Sequence, residues 1–287
     1  MLWIILFVFG VAIGSFLNVV ALRYGGENFL FDPKVIGGRS RCPACKTTLR
    51  WFELIPLVSF VIQRGRCRHC RAKISVRYPI AELLSGIIFV AVPWRFSYAL
   101  TIAGAGGSLA WLSAIWIAAL EILLLIAYID ILLGIIPDEL NIALLIVALI
   151  EIFSLAKFFG IGNPSFFGDY AAIFGGQANV WINHIAAGVA AAAFFGALVA
   201  VTRGRGMGMG DVKLVLPLGL LFGWPDILVI TMFSFIVGGL FGIILVARGR
   251  KTMKSPVPFA PFLVAGAAVA FFWGSAIFGW YFHLIGV

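Results

Sequence analysis

Two aspartates stand where an ionised side chain is expensive. Asp130 follows a long apolar run in Tyr128-Ile129-Asp130-Ile131-Leu132-Leu133-Gly134-Ile135-Ile136-Pro137-Asp138, and Asp211 closes Gly206-Met207-Gly208-Met209-Gly210-Asp211. Acids at membrane depth face functional cavities by default, because lipid gives a charge nothing to pair with. Two carboxyl groups a few ångströms apart share one proton and titrate as a pair. Such a pair suits hydrolysis of a peptide bond. The ionised acid takes a proton from water while its protonated partner polarises the scissile carbonyl. Glycines at alternate positions, Gly208 and Gly210 among them, have no Cβ and would let an extended substrate backbone lie close. Two further residues have paired readings. Lys213 is either a partner for one of the acids or a cation snorkelling to the interface. Asp138, after Pro137, either complements a helix dipole or supports the active site. Capping of a helix beginning at Val212 is the bland role for Asp211, but a cap does not call for three alternating glycines.

All four cysteines form a second constellation, Cys42-Pro-Ala-Cys45 and Cys67-Arg-His-Cys70, with 21 residues between the knuckles. Two C-x-x-C pairs at this spacing point to a four-thiolate structural zinc site. Disulfides and redox thiols are the alternatives, disfavoured if the segment faces a reducing cytoplasm. Arg41, Lys46, Arg66, Arg68, Arg71 and Lys73 flank the sulfurs and offset the charge of about minus two that four thiolates leave on Zn²⁺. His69 reads as a surface residue. Between the knuckles, residues 51–62 are mostly apolar yet too short to span. They are either an interfacial segment with Trp51 at headgroup level or the module's own small core.

These groups need helices to position them. The chain of 287 residues is 62% hydrophobic and 11% charged, which excludes a soluble domain, since one soluble core could not hide that much apolar surface. Apolar spans read as 1–22, 80–98, 108–129, 138–158, 183–201, 226–247 and 259–284. A shorter piece, 212–222, crosses if Arg203 and Arg205 share a side with Arg248, Arg250, Lys251 and Lys254. The expected architecture is an all-α polytopic membrane protein of about eight transmembrane helices with a small cytoplasmic zinc-ribbon-like module. It divides into a first transmembrane helix (1–22), a basic four-cysteine module (23–79) and a transmembrane peptidase domain (80–287). Residues 23–77 hold 12 basic and three acidic residues and so carry the whole net charge of +9. That places the module on the cytoplasmic side and both termini outside, and it argues against nucleic acid as a partner. The connection 159–181 has no evident role. Glu82 and Glu121, inside apolar spans, are expected to face the bundle interior.

Other chemistries lack support. Ser15 and His184 sit in no nucleophile elbow, and there is no H-E-x-x-H helix. The glycine run 104–107 lacks the Lys-Ser/Thr of a phosphate loop and reads as a turn. A proton- or ion-coupled transporter with Asp130, Asp211 and Glu121 as relay groups is the alternative from another class, although no inverted halves are evident.

The pattern resembles the type IV prepilin peptidases, bifunctional leader peptidases and N-methyltransferases whose GxGD signature is shared with presenilin-like proteases. The resemblance rests on Gly14-Ser15-Phe16-Leu17-Asn18-Val19-Val20, on Arg64-Gly65-Arg66-Cys67-Arg68-His69-Cys70, on Ile74-Ser75-Val76-Arg77-Tyr78-Pro79 with Glu82, and on the two aspartate segments, the second running through Val212-Lys213-Leu214. It implies that Asp130 and Asp211 are catalytic and that prepilins or pseudopilins are cut after a glycine at the cytoplasmic face of a bacterial inner membrane. It also implies methylation of the new N-terminus with S-adenosylmethionine, for which spacing locates no site. Asn141 departs from the family's common Thr, and Arg23-Tyr24-Gly25-Gly26 lacks its frequent Pro.

Overall fold

A computed structural model describes every residue except 27, 28, 31, 104–108, 160–164, 168–178, 205, 250, 251, 253, 254, 256 and 285–287. The glycine run 104–107, most of the connection 159–181, and the topology markers Arg205, Arg250, Lys251 and Lys254 therefore lie outside the described residues. The helices are α1 (Leu2–Arg23), α2 (Pro33–Ile36), α3 (Val58–Ile62), α4 (Arg77–Ala103), α5 (Leu109–Leu133), α6 (Asp138–Ser154), α7 (Val180–Thr202), α8 (Met209–Phe222), α9 (Asp226–Ala247) and α10 (Ala260–Leu284). Isolated bridges at Arg41–Thr48 and Arg66–Lys73 are the β pairing among the described residues.

Seven helices among the described residues are long and apolar enough to cross a membrane. The eighth apolar helix, α8, has 14 residues; at about 1.5 Å per residue it covers roughly 21 Å of the ~30 Å hydrocarbon layer. Its length is compensated by burial, since most of α8 from Leu214 onward is covered by protein. The chain divides into two compact units, Met1–Tyr128 and Ile129–Val287, with α5 continuous from the first into the second.

In the first unit, α1 packs on α4 through small residues. A Cβ on Gly10 would meet the Ser85 carbonyl oxygen at 2.8 Å, and one on Gly14 would meet Glu82 Cα at 2.8 Å. Gly10 and Gly14 form a G-x-x-x-G face, which lets two backbones approach where water cannot drive association. Ser85 Oγ donates to the Gly10 carbonyl at 2.6 Å and lies 2.8 Å from Glu121 Oε1. Glu82 and Glu121 are both buried, as expected. At the end of α1, the Arg23 guanidinium donates to the carbonyls of Gly37, Gly38 and Arg39, tying the helix to the basic loop.

In the second unit, α8 meets α7 backbone to backbone. A Cβ on Gly219 would come within 2.5 Å of Gly188 Cα. His184 Nδ1 is 2.7 Å from the Leu220 carbonyl oxygen, so this residue braces the same pair of helices. Asp226, fully buried at the start of α9, accepts from Ser165 Oγ and from the Phe166 N–H at 2.9 Å. That gives one described part of the connection before α7 a fixed anchor.

Candidate active site and metal centre

Asp130 lies inside α5, which continues to Leu133, past the apolar span ending at 129 that the sequence suggests. The helix stops at Gly134, whose φ of +69° is open to glycine and whose N–H bonds the Asp130 carbonyl at 2.9 Å. The Asp130 side chain is buried, and its Oδ2 accepts the backbone N–H of Ala260, first residue of α10, at 3.1 Å. Asp211 is in the first turn of α8, which begins at Met209 rather than Val212, and its Oδ2 accepts the Gly208 N–H at 3.3 Å. Asp211 is thus not the cap of a helix beginning at Val212: it stands inside the first turn and bonds back to the N–H of Gly208, the residue that precedes the helix. Two acids 81 positions apart in sequence are thus both buried, one bonded to the start of α10 and the other in the first turn of α8.

Two glycines behave differently here. A Cβ on Gly210 would meet three Ile136 side-chain atoms at 3.3–3.5 Å, so the start of α8 abuts the loop after α5. Gly208 has more room, its added Cβ meeting Asp211 Oδ2 only at 3.7 Å. Of the two expectations of backbone access for a substrate, the close neighbour of Gly210 is therefore the chain itself. Lys213 pairs with neither buried acid. Its Nζ bonds both Asp138 carboxylate oxygens at 2.8 Å across an exposed bridge joining α8 to α6. One turn into α6, Asn141 is buried with neither amide atom hydrogen-bonded among the described residues. The sequence marked it only as a departure.

The four cysteine sulfurs lie within 4.8 Å of one another. Cys42 Sγ and Cys70 Sγ are 3.9 Å apart. That is far from a disulfide bond at about 2.05 Å and close to the ~3.8 Å edge of a tetrahedron with Zn–S bonds of about 2.3 Å. The donor set and spacing fit a zinc ion. Each half is built alike. Cys42 N–H bonds Thr47 O and Lys46 N–H bonds Cys42 O; 25 positions on, Cys67 N–H bonds Ala72 O and Arg71 N–H bonds Cys67 O. Lys46 and Arg71 share the left-handed backbone, with φ of 60° and 56°. The Thr47 hydroxyl, 3.3 Å from Cys45 Sγ, is the main cause that lowers that thiol to about 6, ready to ligate as thiolate. His69 is exposed and outside the sulfur cluster. Trp51, Val61 and Ile62 are strongly exposed while Glu53 is buried, so these three do not form a core for the module.

The bacterial peptidase A24 N-terminal domain matches residues 8–96, and the type IV leader peptidase family matches residues 117–243. A prepilin leader peptidase/N-methyltransferase of Aeromonas hydrophila is 33% identical over 96% of this chain and 92% of its own length. The chain belongs to the type IV leader peptidase family. Proteins of the same name from Bacillus subtilis (strain 168) and Legionella pneumophila are 29% and 28% identical, each over 98% of this chain and 98% and 94% of their own. No solved structure matches. As a leader peptidase the chain is a multi-pass membrane protein, and both aspartate segments lie within the second match.

Proposed function

We propose that this chain cleaves the leader from type IV prepilins and pseudopilins after a glycine, with Asp130 and Asp211 as the catalytic dyad, and then N-methylates the new amino terminus. What carries the dyad is that both acids are buried and that Gly210, next to Asp211, abuts Ile136 in the loop that follows Asp130's helix, within a chain of the leader peptidase family. One carboxylate removes a proton from water, whose oxygen bonds to the scissile carbonyl carbon while the other acid protonates the carbonyl oxygen. When the carbon–nitrogen bond breaks, the departing amine takes up the proton. Family membership separates this reading from the transport alternative. Since a helix hides its own peptide carbonyls, the substrate must be extended where it is cut.

The four cysteines hold a structural zinc that fixes the module's fold. S-adenosylmethionine, when bound, supplies an electrophilic methyl group. The excess of basic residues in 23–77 supports a cytoplasmic position for this segment and for the site of cleavage, at a bacterial inner membrane. The test is cleavage of a prepilin by the purified full chain in detergent, beside Asp130→Asn and Asp211→Asn. Loss of cleavage in each, with substrate still bound, is the expected result; substantial turnover by either variant refutes the dyad.

A further inference from the structure

Within the first unit, residues 51–62, between the two cysteine knuckles, present an apolar surface. The exposed residues of this stretch are Trp51, Leu54, Ile55, Val58, Val61 and Ile62, and every one of them is apolar. Trp51, Val61 and Ile62 reach 78%, 73% and 64% exposure. The one charged side chain in the stretch, Glu53, is buried and accepts the Arg50 N–H at 2.8 Å. Exposed apolar surface gathered in one segment marks an interaction site, since it is costly to leave in water.

We infer that residues 51–62 lie in the interfacial layer of the membrane, their exposed apolar residues among phospholipids and the flanking Arg50 and Arg64 on anionic headgroups. Depth is the first argument. The Leu57 N–H donates to Glu82 Oε2 at 2.8 Å, which ties the middle of the segment to the membrane-spanning α4. Along α4 the exposed residues Ile80, Leu83, Leu84 and Ile87 are apolar, so its lipid-facing side begins near Ile80. At about 1.5 Å per residue, Glu82 stands roughly 3 Å farther along the helix than Ile80. The segment is therefore held at the level where α4 enters lipid.

Shape is the second argument. Val58, Val61 and Ile62, at spacings of three and four, share one face of α3. Trp51 supplies the amphipathic ring that settles at headgroup level. Charge is the third. Arg50 and Arg64 stand just outside the apolar stretch at either end, and both are exposed. Their long stems can lie along lipid while the guanidinium meets a phosphate. With Glu53 turned inward, the segment shows anionic headgroups no acid to repel them. A protein partner arriving from solution would have to displace lipid at this depth, so the bilayer itself is the better occupant. The membrane then holds the cysteine module at a point of its own, besides the two helices that flank it, and this holds whatever reaction the chain catalyses.

The test uses the purified full chain reconstituted in vesicles of phosphatidylcholine and phosphatidylglycerol with brominated acyl chains. The chain has nine tryptophans, so the signal of Trp51 is taken as the difference between the parent and Trp51→Phe. Bromine near the headgroup is expected to quench that signal roughly twofold more than bromine at the chain terminus, and aqueous iodide to leave it nearly unchanged. Quenching by iodide and not by bromine puts the segment in water; quenching by neither puts it against protein, a second copy included. Either result overturns the inference. Val61→Glu with Ile62→Glu, both at exposed positions, is expected to lose the bromine quenching, and undiminished quenching overturns the inference. The parent's own quenching decides the depth whether or not that variant folds. In phosphatidylcholine alone the quenching is expected to fall, and Arg50→Gln with Arg64→Gln to make it the same in both kinds of vesicle. Equal quenching of the parent in both overturns the contact with anionic headgroups.

Discussion

The Asp130 carboxylate receives the N–H of Ala260 at 3.1 Å, so the acid near the end of α5 caps the beginning of α10. Phe259, which precedes it, has no side-chain oxygen to do so. Asp211 likewise receives a backbone N–H at the start of α8. Two helix N-termini thus face the two acids, and their partial positive charge compensates the negative charge that the proposed dyad would hold in an apolar bundle.

Asp130→Asn and Asp130→Ala are therefore expected to differ. Asparagine keeps an oxygen for the Ala260 N–H, so thermal stability stays close to that of the parent while cleavage falls by about 10²- to 10⁴-fold. Alanine leaves that buried donor unpaired, which costs a further ~1–3 kcal/mol of stability. Thermal melts in detergent read alongside prepilin cleavage separate the two effects.

Gly210→Ala presses a methyl group onto Ile136. The nearest contact, 3.3 Å to Ile136 Cβ, is a few tenths of an ångström too tight, so Ile136 or the first turn of α8, which carries Asp211, must shift slightly. Cleavage is expected to drop, and Ile136→Val introduced with Gly210→Ala to recover part of it. A double variant no better than the single one shows that the contact does not set the spacing of the acids.

Lys213→Ala and Asp138→Ala each remove one end of an ion pair whose side chains are 51% and 62% exposed. Exposed pairs contribute about 0–1 kcal/mol, so each variant should melt within a few degrees of the parent. If the bridge acts only by joining α8 to α6, the double variant cleaves no worse than either single one. Additive losses in cleavage would instead give Lys213 a separate role at the acids.

Replacing Cys42 and Cys45 together by Ser removes half of the sulfur cluster. Zinc measured by plasma mass spectrometry is expected to fall from about one ion per chain to none, and the module to become sensitive to limited proteolysis. Unchanged zinc content would exclude this site.

Much of the site was legible because lipid is an unforgiving solvent: an acid beside an apolar run stands out, and Asp130 and Asp211 stood out before any coordinates. The cysteine spacing was equally informative, since ligand geometry limits how far apart two knuckles fall. Tertiary partners were not legible. Nothing near Asp130 in sequence points to Ala260, 130 positions away, and Lys213 had acids nearer in sequence than Asp138. The contact of Gly210 with Ile136 was not legible, because an absent side chain does not say which neighbour it makes room for. One signal was overlooked: Arg41-Cys42-x-x-Cys45-Lys46 recurs 25 positions later as Arg66-Cys67-x-x-Cys70-Arg71, and aligning the two would have shown that the halves of the module are duplicates. Helix ends moved by a few residues, since hydropathy follows the lipid and hydrogen bonds continue beyond it.

Of the four cysteines, Cys42 and Cys67 are buried, Cys45 is half-buried and Cys70 is exposed. A competing chelator or an oxidant arriving from solution meets Cys70 first, and loss of that one bond would leave the ion on three donors. The module therefore has a preferred edge from which it comes apart, and metal exchange in the intact protein should proceed through that outermost thiolate.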